Sequence, residues 1–287
     1  MTRVAIVTDS ASDLQPANAR ALGIHVVPLA VSFGSESFKA GVDITTEVFW
    51  ERMTAPDAPF PKTAASSPGD FGAAYEQAFA DGADAIVSIH VAGTLSGTIK
   101  SAEIAKGLMP DREIHIVDSL GASMGEGLLA EEAVKLANLG VHAEEIARVL
   151  NERRADIGMF VALDTLEYLK RGGRVSGAQA AIGTLLSVKP IVHVHDGQVD
   201  TVEKIRTRGK ARERLIELVC TRPMERLSIL HTTNADVEAF VEEIVPRVPG
   251  GIDRSLVSIE LVGPSIGPHL GPGCVGAVAL YRVAEVV

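Results

Sequence analysis

An apolar run from Ala85 to Val91 stops at Ala92-Gly93-Thr94-Leu95-Ser96-Gly97-Thr98, and a helical pattern then runs on to Ala105. That succession is a strand, a tight small-residue turn and a helix start, and it restricts the chain to folds in which a parallel strand feeds a helix. In such folds loop hydroxyls and free backbone N–H groups gather at the carboxyl edge of the sheet, where α/β proteins bind ligands. Ser96 is thereby a candidate for holding an oxygen-rich group. Helix N-capping is the plainer alternative for the same hydroxyl.

The same grammar recurs through the first half. Arg3 to Thr8 reads as a buried strand, Asp9 to Asp13 as a polar turn, and Pro16 lies in the first turn of a helix that Gly23 closes. His25 to Phe33 reads as the second strand, Gly34 to Val42 as a small hairpin, and Thr45 or Thr46 caps a helix carrying Val48, Phe49, Trp50 and Met53. Ala55 to Pro68, with Pro56, Pro59 and Pro61, is a loop by composition. A long structureless loop in a compact domain is unusual unless it serves a ligand, so Thr63 is a second candidate, an ordinary solvated residue being the alternative. Ser67-Pro68-Gly69-Asp70 is a helix N-terminus in which cap hydroxyl, proline and early carboxylate agree. Glu113 to Val117 is another short strand ending at Asp118-Ser119, followed by helices over Ala122–Leu139 and Ala143–Asp156. Repeated β, loop and α predict a parallel sheet with right-handed crossovers.

After that the grammar changes. Gly158 to Ala162 is a strand, and Thr165 caps a helix through Leu169 that stops at Lys170-Arg171-Gly172-Gly173. Cations and glycine explain the stop. Arg174 lies beyond it and is left over, and Ser176-Gly177 open the next helix. Lys189–His195 and Gln198–Arg206 flank Asp196-Gly197, a two-residue hairpin turn. Arg208–Cys220 is helical, Leu227–His231 a strand, Val237–Val245 a helix and Leu256–Val262 a strand; Gly263–Gly276 is a Gly/Pro loop before a last strand, Ala277–Val283. The expected fold class is α/β in two domains, an N-terminal parallel-sheet α/β domain over 1–155 and a C-terminal mixed-sheet α+β domain over 156–287, with the boundary near 150–158.

Composition then removes whole classes of function. A net charge of −10 repels phosphate backbones, and 4% aromatic residues imply aliphatic cores and no stacking surface for bases, so no nucleic-acid role is expected. No apolar run is long enough to span a bilayer, no leader precedes Arg3, and Cys220 and Cys274 form no ligand pattern, all of which fit a reducing cytoplasm. Three motifs tempt. Gly263-Pro-Ser265-Ile-Gly267 matches the nucleophile elbow of esterases, but Pro268, Gly271, Pro272 and Gly273 oppose the required helix, and Glu285 is the sole acidic residue downstream; an esterase using Ser265 is the alternative function. Gly271 to Gly276 matches G-x-G-x-x-G yet leads into a terminal strand, which argues against NAD. His193 and His195 share one strand face without a third ligand at motif spacing, and read as solvent-facing hairpin histidines, so neither metal nor cofactor is expected. Hydroxyl-bearing strand ends, one histidine in a glycine loop and aliphatic cores suit a carboxylate with an apolar tail.

Taken in order, VTDSASDL at 7–14, the Thr63–Phe71 segment, LSGT at 95–98, VDSLGAS at 117–123, RGGRVS at 171–176, DGQV with KIRTRGKA within 196–211, and HLGPGCVG at 269–276 resemble the DegV family of fatty-acid-binding proteins, the acyl-carrying subunits of bacterial fatty acid kinases. The resemblance implies a two-domain α/β protein with one long-chain fatty acid between the domains, its acyl chain threaded into the N-terminal core. It implies that Thr63 and Ser96 hydrogen-bond the carboxylate, with Ser119 among the lipid-binding residues, and that His269 approaches the same headgroup. Arg174 and Arg206 are implied to face the fatty acid kinase catalytic subunit, which would phosphorylate the carboxylate to an acyl phosphate for phospholipid metabolism. The chain itself would then present substrate without catalysis. Burial of the tail, at about 0.8 kcal/mol per methylene, supplies gross affinity, and the polar groups need only fix the head. Ala64 stands where the family usually has a second hydroxyl, and Ile99-Lys100 replaces a common aromatic-polar pair.

Overall fold

The computed structural model describes residues 2–174 and 188–283. The helix expected to open at Ser176-Gly177, and Glu285, lie outside the described residues. The chain divides into two compact units, one of Met1–Ala155 with Gly263–Ser265, the other of Asp156–Val262 with Ile266–Val287.

The first unit runs β1 (Val4–Asp9), α1 (Pro16–Ala21), β2 (His25–Val27), β3 (Ala30–Phe33), β4 (Glu36–Lys39), α2 (Thr46–Thr54), β5 (Lys62–Ala64), α3 (Pro68–Ala80), β6 (Ala85–His90), α4 (Thr98–Gly107), β7 (Glu113–Asp118), α5 (Met124–Asn138) and α6 (Ala143–Arg153). Four strands form a parallel sheet in the order β2-β1-β6-β7, and β6 is buried along its whole length, as a central strand covered on both faces must be. The expected single strand His25–Phe33 is in fact two. Pro28 between them has no N–H for a ladder; β2 stays in the parallel sheet (Val7 beside His25), while β3 leaves to centre an antiparallel sheet β4-β3-β5. The proline-rich segment read as plain loop contains β5, in which Thr63 pairs with Val31.

Local chemistry sets the helix starts. Thr45 caps α2 by accepting from Val48 N (3.3 Å), and Ser67 and Asp70 form a reciprocal capping box on α3. From α3, Phe71, Tyr75 and Ala78 pack against Val7, Val27, Ile86 and Ile114 of the sheet, with Ala102 and Ala105 of α4 closing the cluster. The few aromatic residues are concentrated inside: Tyr75, Phe49, Phe71 and Phe240 head the fully enclosed side chains, so the cores are less purely aliphatic than composition suggested.

The second unit runs β8 (Ile157–Ala162), α7 (Glu167–Arg171), β9 (Lys189–His195), β10 (Gln198–Ile205), α8 (Arg208–Val219), β11 (Met224–His231), α9 (Val237–Ile244), β12 (Val257–Leu261), α10 (Gly267–Leu270) and β13 (Val275–Tyr281). Its sheet is mixed, in the order β10-β9-β8-β13-β11-β12, with β11 and β12 parallel and the other neighbours antiparallel. Leu215, Ile216 and Val219 of α8 and Phe240, Val241 and Ile244 of α9 bury its core strands. At the β9–β10 hairpin Asp196 (φ 47°) and Gly197 (φ 71°) both take the left-handed region that a primed turn needs. Two expectations are corrected. The Gly/Pro segment Gly263–Gly276 holds a helical turn, α10, with Pro268 in its first turn where no amide is required. His193 and His195 are not simply solvent-facing: the His193 ring stacks on Phe160 and on His195, each at 4.3 Å between centroids.

Candidate functional site

The carboxyl edge of the first unit's sheet is sewn together by loop hydrogen bonds. Ala92 N donates to Gly121 O (2.9 Å) and Gly93 N to Asp118 Oδ2 (3.3 Å), so the loops after β6 and β7 form one surface. Ser96 is half-buried there. Its Oγ accepts from Thr98 N (3.3 Å) and pairs with Thr98 Oγ1 (2.8 Å), while Gly97 occupies the N-cap position of α4, so Ser96 serves the helix start from just outside it. Thr63 is half-buried on β5. A Cβ placed on Gly97 would lie 3.8 Å from Ala65 Cβ, which brings the exit of β5 onto the start of α4 and makes the Thr63 and Ser96 segments neighbours. Ser119 is buried, and its hydroxyl is used within its own turn, donating to Gly121 O (3.3 Å) and accepting from Gly121 N (3.2 Å).

In the second unit, α10 packs on α7 through glycine. A Cβ on Gly172 would fall 2.2 Å from His269 Nδ1, and one on Gly271 2.2 Å from Tyr168 Cδ2, so both close approaches demand the missing side chain. Burial, helped by the charge of Arg174, pulls the His269 pKa down to about 4, so this imidazole is neutral at physiological pH. Arg174 Nη1 donates to Gly172 O (2.6 Å), the C-terminal residue of that turn. Arg206 is exposed at the foot of α8, beside the capping Thr207, and Arg208 Nη2 donates to Gly273 O (2.7 Å). Ser265 is 3% exposed and its Oγ pairs with Ser10 Oγ (2.8 Å), which also accepts from Leu29 N (2.8 Å). That is a buried relay of hydroxyl and amide, not the exposed crest of a nucleophile elbow.

Two groups escaped sequence reasoning. Gly121-Ala122-Ser123-Met124-Gly125 is a second G-x-S-x-G, and it does sit between a strand and a helix: Ser123 has φ 53° and ψ −142° and leads into α5. It is fully enclosed, its Oγ donates to Asp13 Oδ2 (2.5 Å) and its N to Ala11 O (2.7 Å), so the strained turn is held by structure-forming bonds. The other is a buried polar chain. Asp9 closes β1, His90 closes β6 and Glu126 lies in the first turn of α5, all without solvent exposure. His90 Nδ1 is 3.1 Å from Asp9 Oδ2, and Glu126 Oε1 accepts from Thr8 Oγ1 (2.6 Å) and Asp9 N (3.3 Å). Burial and the neighbouring Asp9 carboxylate push the Glu126 carboxyl well above its ordinary pKa. The sequence signal was there: one glutamate inside the small, apolar run Met124-Gly-Glu-Gly-Leu-Leu-Ala130.

The model of the DegV family, a family described as uncharacterised proteins, matches residues 3–282. A DegV domain-containing protein of Halalkalibacterium halodurans is 32% identical over 280 residues, 96% of this chain and 98% of that one. Another, from Streptomyces coelicolor, is 34% identical over 284 residues, covering 97% and 99%. Among solved structures, a DegV family protein of Thermus thermophilus described for its fatty acid binding has a TM-score of 0.88 at 34% identity, covering 98% of this chain and all (100%) of that one. DegV of Bacillus subtilis, described as a fatty acid binding protein, gives 0.86 at 31% identity with 98% and 100% covered. Sequence and architecture agree from β1 to β13: the chain belongs to the DegV family.

Proposed function

We propose that this protein binds one long-chain fatty acid and presents its carboxylate to a separate ATP-dependent kinase subunit that forms the acyl phosphate. The observation that carries the reading is the convergence of the Thr63 and Ser96 segments at the carboxyl edge of the parallel sheet, in a chain 34% identical to a fatty-acid-binding relative. Hydroxyls donate to a carboxylate there, and a buried carboxylate needs donors. His269 is held neutral, so its imidazole offers an N–H donor that carries no charge. Ser119 contributes by fixing the turn beside them. The acyl chain belongs in the first unit by this reading, and Arg174 and exposed Arg206 meet the kinase. A cytoplasmic setting goes with it; among the described residues no helix is long and apolar enough to cross a membrane.

Native mass spectrometry and lipid extraction of the purified protein test the reading. One long-chain fatty acid per chain, or stoichiometric uptake of an added one, is the expected result. Repeated preparations with neither cargo nor uptake would overturn it.

A further inference from the structure

We propose that Asp9, His90 and Glu126 form a buried site for one divalent first-row transition ion, best matched by zinc. The inference does not depend on the lipid reading. Among the described residues, these three form the one group of His, Cys, Asp and Glu whose ligand atoms all lie within 4.8 Å of one another, and all three side chains are fully enclosed. The separation of Asp9 Oδ2 and His90 Nδ1, 3.1 Å, is close to the ligand–ligand edge of about 3.3 Å that a tetrahedron with bonds of about 2.0–2.1 Å requires.

A second observation points to a ligand. Glu126 Oε1 takes donors from Thr8 and Asp9 N, whereas Glu126 Oε2 is buried with no hydrogen-bond partner. Whether that oxygen carries a proton or a charge, leaving it unmatched in the interior is costly. A cation beside it removes the cost. Two carboxylates and one neutral imidazole around a divalent ion also sum to zero charge, which suits an enclosed site.

The surroundings match the needs of metal ligands. If His90 coordinates through Nδ1, its Nε2 is positioned to donate to Ser88 Oγ (2.7 Å), which pairs with Tyr75 Oη (3.0 Å); this is the outer hydrogen bonding that fixes a ligating imidazole. Asp9 is aimed by Ala11 N on Oδ1 (2.8 Å) and Val91 N on Oδ2 (3.3 Å). The His90 and Phe71 rings meet edge-to-face at 4.9 Å between centroids, so apolar packing covers the cluster on that side. An imidazole with two carboxylates favours zinc, manganese or iron over magnesium or calcium, which prefer all-oxygen shells. Enclosure makes the site structural, a tie between β1, β6 and α5.

The test uses the full-length protein carrying His195→Gln, because half-buried His195 lies 3.3 Å from Asp196 and 3.1 Å from Asp200 and can take up added metal on its own. Metal content is measured after growth with zinc, and Tm is followed before and after stripping with a chelator at elevated temperature. Cobalt added to the stripped protein is read by visible absorption. Expected are about one zinc per chain, a Tm that falls by roughly 5 °C or more on stripping and recovers with zinc, and cobalt bands of a four- or five-coordinate site. Glu126→Gln keeps the side-chain volume and is expected to lower cobalt affinity at least about tenfold. No metal, a Tm indifferent to zinc and a cobalt spectrum of the free ion would overturn the proposal. Cobalt bands unchanged in Glu126→Gln would overturn the ligand assignment. Should that variant fail to fold, metal content and cobalt bands in the parent decide.

Discussion

His269 and the two hydroxyls Thr63 and Ser96 differ in what their surroundings have done to them. With a folded pKa near 4 against 6.5 when unfolded, His269 binds fewer protons in the native state across that interval. Its share of stability is therefore whole above pH 6.5 and is lost as pH falls towards 4, by roughly 2–3 kcal/mol. Urea unfolding at pH 7.5 and pH 4.5 should show a steeper loss in the wild type than in His269→Gln; equal losses would refute the assignment. Thr63→Ala and Ser96→Ala are each expected to weaken fatty-acid retention about tenfold or more, as loss of a hydrogen bond to a charged group does, measured by exchange of a labelled fatty acid. Both hydroxyls stand out in the sequence because each falls in a stretch of unusual composition, a small-residue turn for Ser96 and, for Thr63, a proline-rich segment that holds β5. Glu126 and His90 stand out less: each is a lone titratable residue in an apolar run, and what makes them notable is mutual burial, created when strand ends and a helix start far apart in the chain meet.

Helices and strands were readable in proportion to how local their causes are. The Ser67-Pro68-Gly69-Asp70 start of α3 and the Asp196-Gly197 hairpin are decided within four residues, and both form as the sequence predicts. Ser67→Ala removes the cap and one half of the box, and should lower stability by about 1 kcal/mol in a denaturant titration; no change would mean that Lys39, 2.8 Å from Asp70, holds the helix start instead. Strands β2, β3 and β5 were harder. Three or four residues carry too little periodicity, and β5 exists because β3 pairs with it across a proline-rich segment. Pro28 was the available clue to the split of His25–Phe33: a residue without an N–H is an unlikely member of a central ladder. Likewise the helical turn α10 follows from Pro268 as a helix starter, although the glycines around it argue for a loop.

Across the whole molecule, the change from repeated β-loop-α units to a Gly-turned hairpin was enough to separate a parallel from a mixed sheet. Roles are expected to divide in the same way. Arg174→Ala should leave fatty-acid retention within twofold of wild type while lowering acyl phosphate formation by the proposed kinase partner at least tenfold; a variant that loses cargo instead would show that Arg174 acts on the lipid. One feature of the chain path limits how far such division goes. Gly263–Ser265 belongs to the first unit, where Gly263 N donates to Asp13 Oδ1 (2.8 Å) and Ser265 Oγ meets Ser10 Oγ (2.8 Å). A fragment of residues 1–155 loses those partners, at a cost of about 1–3 kcal/mol for each buried group stripped of one, and should be digested faster by protease than the same segment in the intact protein. Swapping halves between relatives as independent cassettes is accordingly expected to succeed best when this tripeptide and its recipient loop come from the same parent, since part of the early half is written late in the gene.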